Sequence, residues 1–142
     1  MNHRRWLSCL AFALAFVPSL ASGDEPSLAD RVRQRVDSGL LKPLAQQEDQ
    51  RFSRARPPPA ERRVRILDTT PIVDAAGNTY VSFAVDVRFG TEWHENDIVG
   101  CAYPTTGKLF VKRGETYRPS AFLLGKKADP VSGVCEPRRA QS

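Results

Sequence analysis

Residues 79–89 read TYVSFAVDVRF. Val81, Phe83, Val85, Val87 and Phe89 alternate with Tyr80, Ser82, Ala84, Asp86 and Arg88. Successive side chains of a strand point to opposite sides, so strict alternation over this length predicts a strand with one buried face. The apolar positions hold β-branched and aromatic residues, which suit a pleated, half-buried surface. This stretch is the expected central strand of the fold.

Shorter segments gather around it. Arg63 to Leu67 reads as a strand with Val64 and Ile66 inward and Arg63 and Arg65 outward. Pro71 to Val73 suits an edge, since Pro71 has no N–H for a ladder. Ala75-Ala76-Gly77-Asn78 is a turn into the central strand. After it, Gly90 to Asn96 reads as a loop and Ile98 to Tyr103 as the next strand. Pro104-Thr105-Thr106-Gly107 reverses the chain, Leu109 to Lys112 returns, and Arg113-Gly114 turns again into Thr116 to Arg118. Ala121 to Leu124 is a last apolar segment. Short strands separated by Gly- and Pro-bearing turns predict an antiparallel meander rather than parallel βαβ units.

Upstream, Ser27 to Ser38 reads as a helix. Ser27 caps it, Leu28, Val32 and Val36 share a face, and Gly39 supplies a stop. A second helix starts at Pro43 and runs towards Phe52 on a thin apolar face of Leu44, Ala45 and Phe52. The fold class is therefore α+β: a small antiparallel β-meander sheet of about five short strands preceded by one or two short N-terminal helices.

The chain divides by composition. Residues 1–23 read as a signal peptide: Arg4 and Arg5, an apolar run from Leu7 to Leu20, then small residues at Ala21 and Gly23. The run is short for a bilayer span. Cys9 lies near its start, whereas a lipidated cysteine would follow it. Residues 24–53 form a basic helical arm, 54–61 a proline-rich spacer around Pro57-Pro58-Pro59, 62–137 the sheet domain, and 138–142 a frayed tail. Apolar residues make up 41% of the 142-residue chain, enough for one folded core. Net charge is +5, and +3 without Arg4 and Arg5, which is too mild to name a polyanion by itself. Its distribution is uneven: residues 31–65 hold ten basic and four acidic side chains, residues 66–142 nine of each.

Beyond the leader two cysteines remain, Cys101 and Cys135. An even pair in an exported chain predicts a disulfide that staples the C-terminal segment to the sheet. His94 is the single histidine after residue 23, within Glu92-Trp93-His94-Glu95-Asn96-Asp97. A histidine among carboxylates can serve as a general base, with Glu92 or Asp97 to orient it. Glu95 beside it would point the opposite way on a strand. One histidine without a patterned carboxylate loop predicts no metal site, and no motif suggests a cofactor. Arg51, Arg54, Arg56, Arg62, Arg63 and Arg65 cluster around the prolines and suit carboxylates or phosphates.

Three classes of function follow. The leading one is an exported, non-enzymatic binding module of a bacterial envelope, holding an envelope protein or an anionic envelope polymer. Export argues against nucleic acid, as does the lack of aromatics interleaved with the arginines. The others are a small secreted hydrolase using His94 with a neighbouring carboxylate, and a structural envelope component. Periplasmic or secreted localisation is common to all three, with no transmembrane segment once the leader is gone.

Overall fold

The computed structural model describes residues 25–51 and 59–139, with the backbone alone for 49–51. The expected signal peptide and most of the proline spacer lie outside the described residues. The architecture is α+β: a helical segment followed by an antiparallel sheet. Six strands form it: β1 (Glu61–Ile66), β2 (Ile72–Val73), β3 (Thr79–Phe89), β4 (Glu92–Tyr103), β5 (Lys108–Arg113) and β6 (Thr116–Pro119). The order is β1-β3-β4-β5-β6, and β2 pairs with the start of β3 on the β1 side. Ala121 to Leu124, an apolar segment in the sequence, lies in a 3-10 turn at Ser120–Leu124.

The helical segment is continuous. α1 (Leu28–Val36) runs through a π-helical stretch (Asp37–Leu41) into α2 (Lys42–Arg51). Ser27 caps α1, its hydroxyl accepting from the Asp30 N–H at 3.1 Å. Gly39, expected to stop the helix, does not. The Arg35 side chain folds back across Gly39, where a Cβ would lie 2.9 Å from the Arg35 guanidinium carbon, and Arg35 Nε donates to Gly107 O at 2.7 Å. This glycine serves close approach rather than termination. The wider π turn lets Leu40 and Leu41 join Val32 and Val36 in the core.

Nor is the helix an arm separate from the sheet. Val32, Val36, Leu40 and Leu41 share one core with Val81, Phe83, Val85, Ile98, Leu109 and Val111. Val64 and Ile66 pack against it from β1, as their inward positions predict. Gly100 is needed in this layer, because a Cβ there would lie 2.9 Å from the Phe83 ring and collide with the Phe110 carbonyl.

The central strand is buried on both faces, not one. Tyr80, Ala84 and Asp86 are as inaccessible as Val81, Phe83 and Val85, and it is Phe89, at the strand end, that is exposed. Tyr80, Cys101, Tyr103, Phe110 and Cys135 form a second cluster on the face away from the helix. The C-terminal segment covers it, joined by the Cys101–Cys135 disulfide, whose Cα atoms are 6.1 Å apart. The sequence between Gly125 and Arg138 has few apolar residues, so a second covered face leaves little signal in its periodicity.

One hydroxyl holds this layer in place. Tyr103 Oη donates to Asp74 Oδ2 at 2.7 Å and accepts from the Cys135 N–H at 2.9 Å. Asp74 Oδ1 also accepts from the N–H groups of Ala76 and Asn78, closing the turn before β3. Arg138, assigned to the tail by composition, donates its N–H to Val73 O at 2.8 Å. The bond from Tyr103 holds the Asp74 carboxyl below the usual range, while burial, with Asp74 beside it, pushes the Tyr103 hydroxyl up to about 12. No helix among the described residues is long and apolar enough to cross a membrane.

Two outcomes are expected. Leu40→Ala should lower unfolding free energy in urea by about 2–5 kcal/mol, as for a core leucine; a surface-like loss below about 0.5 kcal/mol would mean that the helix does not share the core. Tyr103→Phe should cost about 1–2 kcal/mol near neutral pH by leaving the Cys135 N–H unpaired. A raised phenol favours the folded state fully below its unfolded value of 10 and loses that advantage as pH rises to about 12. The variant should therefore show a flatter decline in stability across that interval.

Candidate functional site

The face of the sheet opposite the helix has two parts. The aromatic and disulfide cluster fills one end. At the other, Arg63, Arg65, Asp86, Arg88 and Trp93 come together from three strands. The register places Arg63 opposite Asp86, Arg65 opposite Ala84 and Arg88 opposite Trp93. Arg63 and Arg65 alternate at the spacing that brings strand side chains to one side, and β3 offers them a single carboxylate.

Asp86 is fully buried and makes four hydrogen bonds. It accepts from Arg63 Nε at 2.8 Å, from Arg65 Nε at 2.7 Å and Nη2 at 3.0 Å, and from the Asn96 backbone N–H at 3.0 Å. Arg65 Nη2 also donates to Asn96 Oδ1 at 2.7 Å. A buried carboxylate stays ionised only with such partners. The Arg65 bonds, with those from Arg63 and Asn96 behind them, hold it far below the usual carboxylate range despite its burial.

Asn96 reaches Asp86 through a bulge. Val85 pairs with Ile98 and Val87 with His94, so Glu95, Asn96 and Asp97 all lie opposite Asp86 alone. Asn96 takes a left-handed φ of 58°, which asparagine tolerates better than most residues. Bulges of this kind re-aim groups beside a strand. Here the bulge turns an N–H onto the buried carboxylate.

Trp93 completes the face. The Arg63 guanidinium lies 4.2 Å from its ring centroid and that of Arg88 5.9 Å. Arg88 is also bridged to Glu61 at 3.3 Å. Asp86 fixes Arg63 and Arg65 at their inner edges, yet their side chains remain 43% and 37% exposed. The Nη groups of Arg63 and Nη1 of Arg65 make no hydrogen bond among the described residues. Such an edge can grip a carboxylate or phosphate.

The six arginines grouped by sequence therefore separate. Arg54, Arg56 and the side chain of Arg51 lie outside the described residues. Arg62 projects to the helix side and pairs with Glu48, both side chains largely buried. Arg63 and Arg65 come together, joined by Arg88, which the sequence reading left out. Asp86 was also missed as a site residue: in an alternating strand it reads as a solvent-facing polar position. The available signal was two arginines at i and i+2 beside a strand whose polar face holds one acid.

The histidine segment is placed differently from expectation. Gly90 to Asn96 is not a loop. β4 begins at Glu92, and the connection is the two-residue turn Gly90-Thr91, with Gly90 at φ 60°. Glu92, Trp93 and His94 pair with Phe89, Arg88 and Val87, and Glu95 to Asp97 form the bulge; none of the six is buried, so the segment shows no apolar alternation. His94 is exposed, its ring 5.5 Å edge-on to Phe89. Among the described residues no hydrogen bond or ion pair joins it to Glu92 or Asp97, and Asp97 instead lines a cavity of about 240 Å³ with Arg62 and Lys112. No three His, Cys, Asp or Glu side chains gather as metal ligands would among the described residues.

Comparison with known proteins finds no matching family model, no matching curated protein and no matching solved structure.

Asp86→Asn should destabilise the fold by about 2–3 kcal/mol at neutral pH, since charge-assisted bonds to a buried acceptor are lost. For a depressed carboxyl the stabilisation is complete above the unfolded value of 3.8 and disappears as pH falls below it towards the folded value. Urea midpoints measured downward from pH 5 should fall steeply in the parent chain and less steeply in the variant. Parallel curves would show that Asp86 does not carry the acid sensitivity.

Proposed function

We propose that this chain is an exported, non-enzymatic binding module that holds an acidic partner protein of the envelope against the face of Arg63, Arg65 and Trp93. The observation that carries the reading is the buried Asp86. One carboxylate fixes two guanidiniums whose outer N–H groups still reach solvent, so the binding groups are ordered before any partner arrives. Ordering of this kind reduces the entropy lost on association. The adjoining indole supplies apolar area beside the charge, a combination common at the centre of interfaces.

Export is supported by the leader-like residues 1–23 and by the Cys101–Cys135 pair, since such bonds persist in oxidising compartments. The same two features support a periplasmic or secreted location. The hydrolase alternative draws on His94, which makes no bond to an orienting carboxylate among the described residues.

Trp93 is the sole tryptophan after residue 23 and so reports on its own face. Soluble polyglutamate, used as an acidic probe, should change its emission and bind more weakly as salt rises. The triple variant Arg63→Gln, Arg65→Gln, Asp86→Asn removes the buried acid together with its partners, which protects the fold from an unpaired charge. It should weaken the probe by about tenfold or more. Equal binding by parent and variant, both folded by circular dichroism, would defeat the proposal. Stronger binding of a phosphate-bearing polysaccharide than of polyglutamate would transfer the reading to an anionic polymer.

A further inference from the structure

The two edges of the sheet are treated differently. Along β6 the C-terminal segment lies against the strand: the Val131 N–H donates to Tyr117 O at 2.9 Å and Arg118 Nη1 donates to Ala128 O at 3.3 Å. At the opposite end β1 closes the order, with β3 as its one strand neighbour. The Leu67 N–H donates inward to Ser82 O at 2.9 Å. Residues of an antiparallel ladder alternate between inward and outward bonding. Arg62, Val64 and Ile66 therefore direct N–H and C=O away from the sheet. Among the described residues no other segment bonds to them.

The side chains on this edge specify what could pair with it. Arg63 and Arg65 lie on one side, two residues apart, and they share one carboxylate. Val64 and Ile66 lie on the other and are only partly buried, although they pack on the core. Leu67, just beyond, is 46% exposed. A strand added here meets cations on one face and apolar surface on the other.

We propose that β1 is a strand-addition site for an extended segment of a partner protein in which acidic residues, two apart, alternate with apolar ones. The inference rests on the acidic-partner reading above and names how that partner binds. Main-chain bonds to Arg62, Val64 and Ile66 supply the pairing, and the arginines select the sequence. A second copy of this chain is a poor occupant. Antiparallel pairing of β1 with the same strand of a second copy, centred on Val64, would set Arg63 opposite Arg65 and Arg65 opposite Arg63, and like charges facing across a ladder repel. Basic residues on an edge guard against self-association, and the same charges attract an acidic strand. The chain's own Pro57-Pro58-Pro59, just before β1, lacks the N–H groups that a ladder requires.

The test uses the processed, oxidised chain and a synthetic octapeptide alternating glutamate with valine. A counterpart of equal charge carries N-methyl groups on alternate residues, prepared in both frames. The plain peptide should slow hydrogen exchange at the amides of Arg62, Val64 and Ile66 by about tenfold or more, with the inward Leu67 amide unchanged. At least one methylated frame should neither bind nor protect. Val64→Pro, which removes one outward N–H and leaves the inner ladder intact, should weaken the plain peptide by about tenfold. If both methylated frames bind as tightly as the plain peptide, strand addition is overturned and the acidic-partner reading stands on charge alone. If the plain peptide protects the three amides equally in the parent and in the Arg63→Gln, Arg65→Gln, Asp86→Asn variant, strand addition stands and the acidic-partner reading falls. Protection of the same amides on raising protein concentration without peptide would identify a second copy as the occupant and overturn the proposal.

Discussion

β3 must be covered on both faces, and the rest of the structure answers that requirement. Its helix-side positions, Val81, Phe83 and Val85, are sealed by Val32, Val36, Leu40 and Leu41. Burying a large apolar side chain contributes about 1.5–3 kcal/mol, so this layer is the main source of stability. On the other side the cover is a C-terminal segment with little apolar content of its own. It would not stay on hydrophobic contact alone. The Cys101–Cys135 bond closes a separation of 34 residues, worth about 3–4 kcal/mol in the chain-entropy model. That is a large fraction of the net stability of a small domain. The bridges from Tyr103 to Asp74 and Cys135 then fix where the covered face ends.

Past the aromatic and disulfide cluster, the face of β3 away from the helix turns polar and keeps its burial by a different means. Asp86 is as inaccessible as Phe83, yet it is charged. Two guanidiniums and one bulged N–H replace the water it lost. The cost of this arrangement is high in a low-dielectric setting, and replacing buried ion clusters by apolar residues often leaves stability unchanged or improves it. Asp86 also holds Arg63 and Arg65 on β1 against β3 and anchors the bulge that aims Asn96. Edge strand, hairpin end and arginine face thus depend on a single carboxylate. Its two arginine partners remain 43% and 37% exposed, so one buried carboxylate ties the middle of the sheet to an open face.

The sequence showed the α+β class, the antiparallel meander, the long central strand and the cysteine pair, because each leaves a local mark: period-two alternation, turn residues, an even thiol count. What it concealed has a common cause. Hydrophobic periodicity records burial, not backbone pairing. Glu92 to His94 pair as strand and Glu95 to Asp97 bulge beside them, all without a buried face, so they read as loop. The two-residue Gly90-Thr91 turn was the available clue. Tyr80 is covered by a polar segment distant in sequence and Asp86 by the arginines of β1 and the bulge of β4, so their face read as exposed. Gly39 read as a stop because local propensity cannot see Arg35 crossing it. Of the candidate site, Arg63 and Arg65 were legible as part of a cluster, while Asp86, Arg88 and Trp93 became site residues only through register between strands.

The two sheet edges bear on why β1 carries its arginines. If those charges served only to prevent aggregation, they could have pointed freely into solvent, where lysine would serve as well. Instead Arg63 and Arg65 are drawn onto Asp86 through Nε, an atom that lysine lacks, and the Arg63 guanidinium lies over Trp93. Fixing a guanidinium by its inner edge leaves its outer N–H groups in a defined direction. The opposite edge has no such device and is covered by the chain itself at Tyr117 and Arg118. A chain that covers one edge and leaves the other bare among the described residues, lined by arginines held in a fixed orientation, has kept that edge distinct. The geometry of Asp86 thus sets the orientation of both arginines along β1.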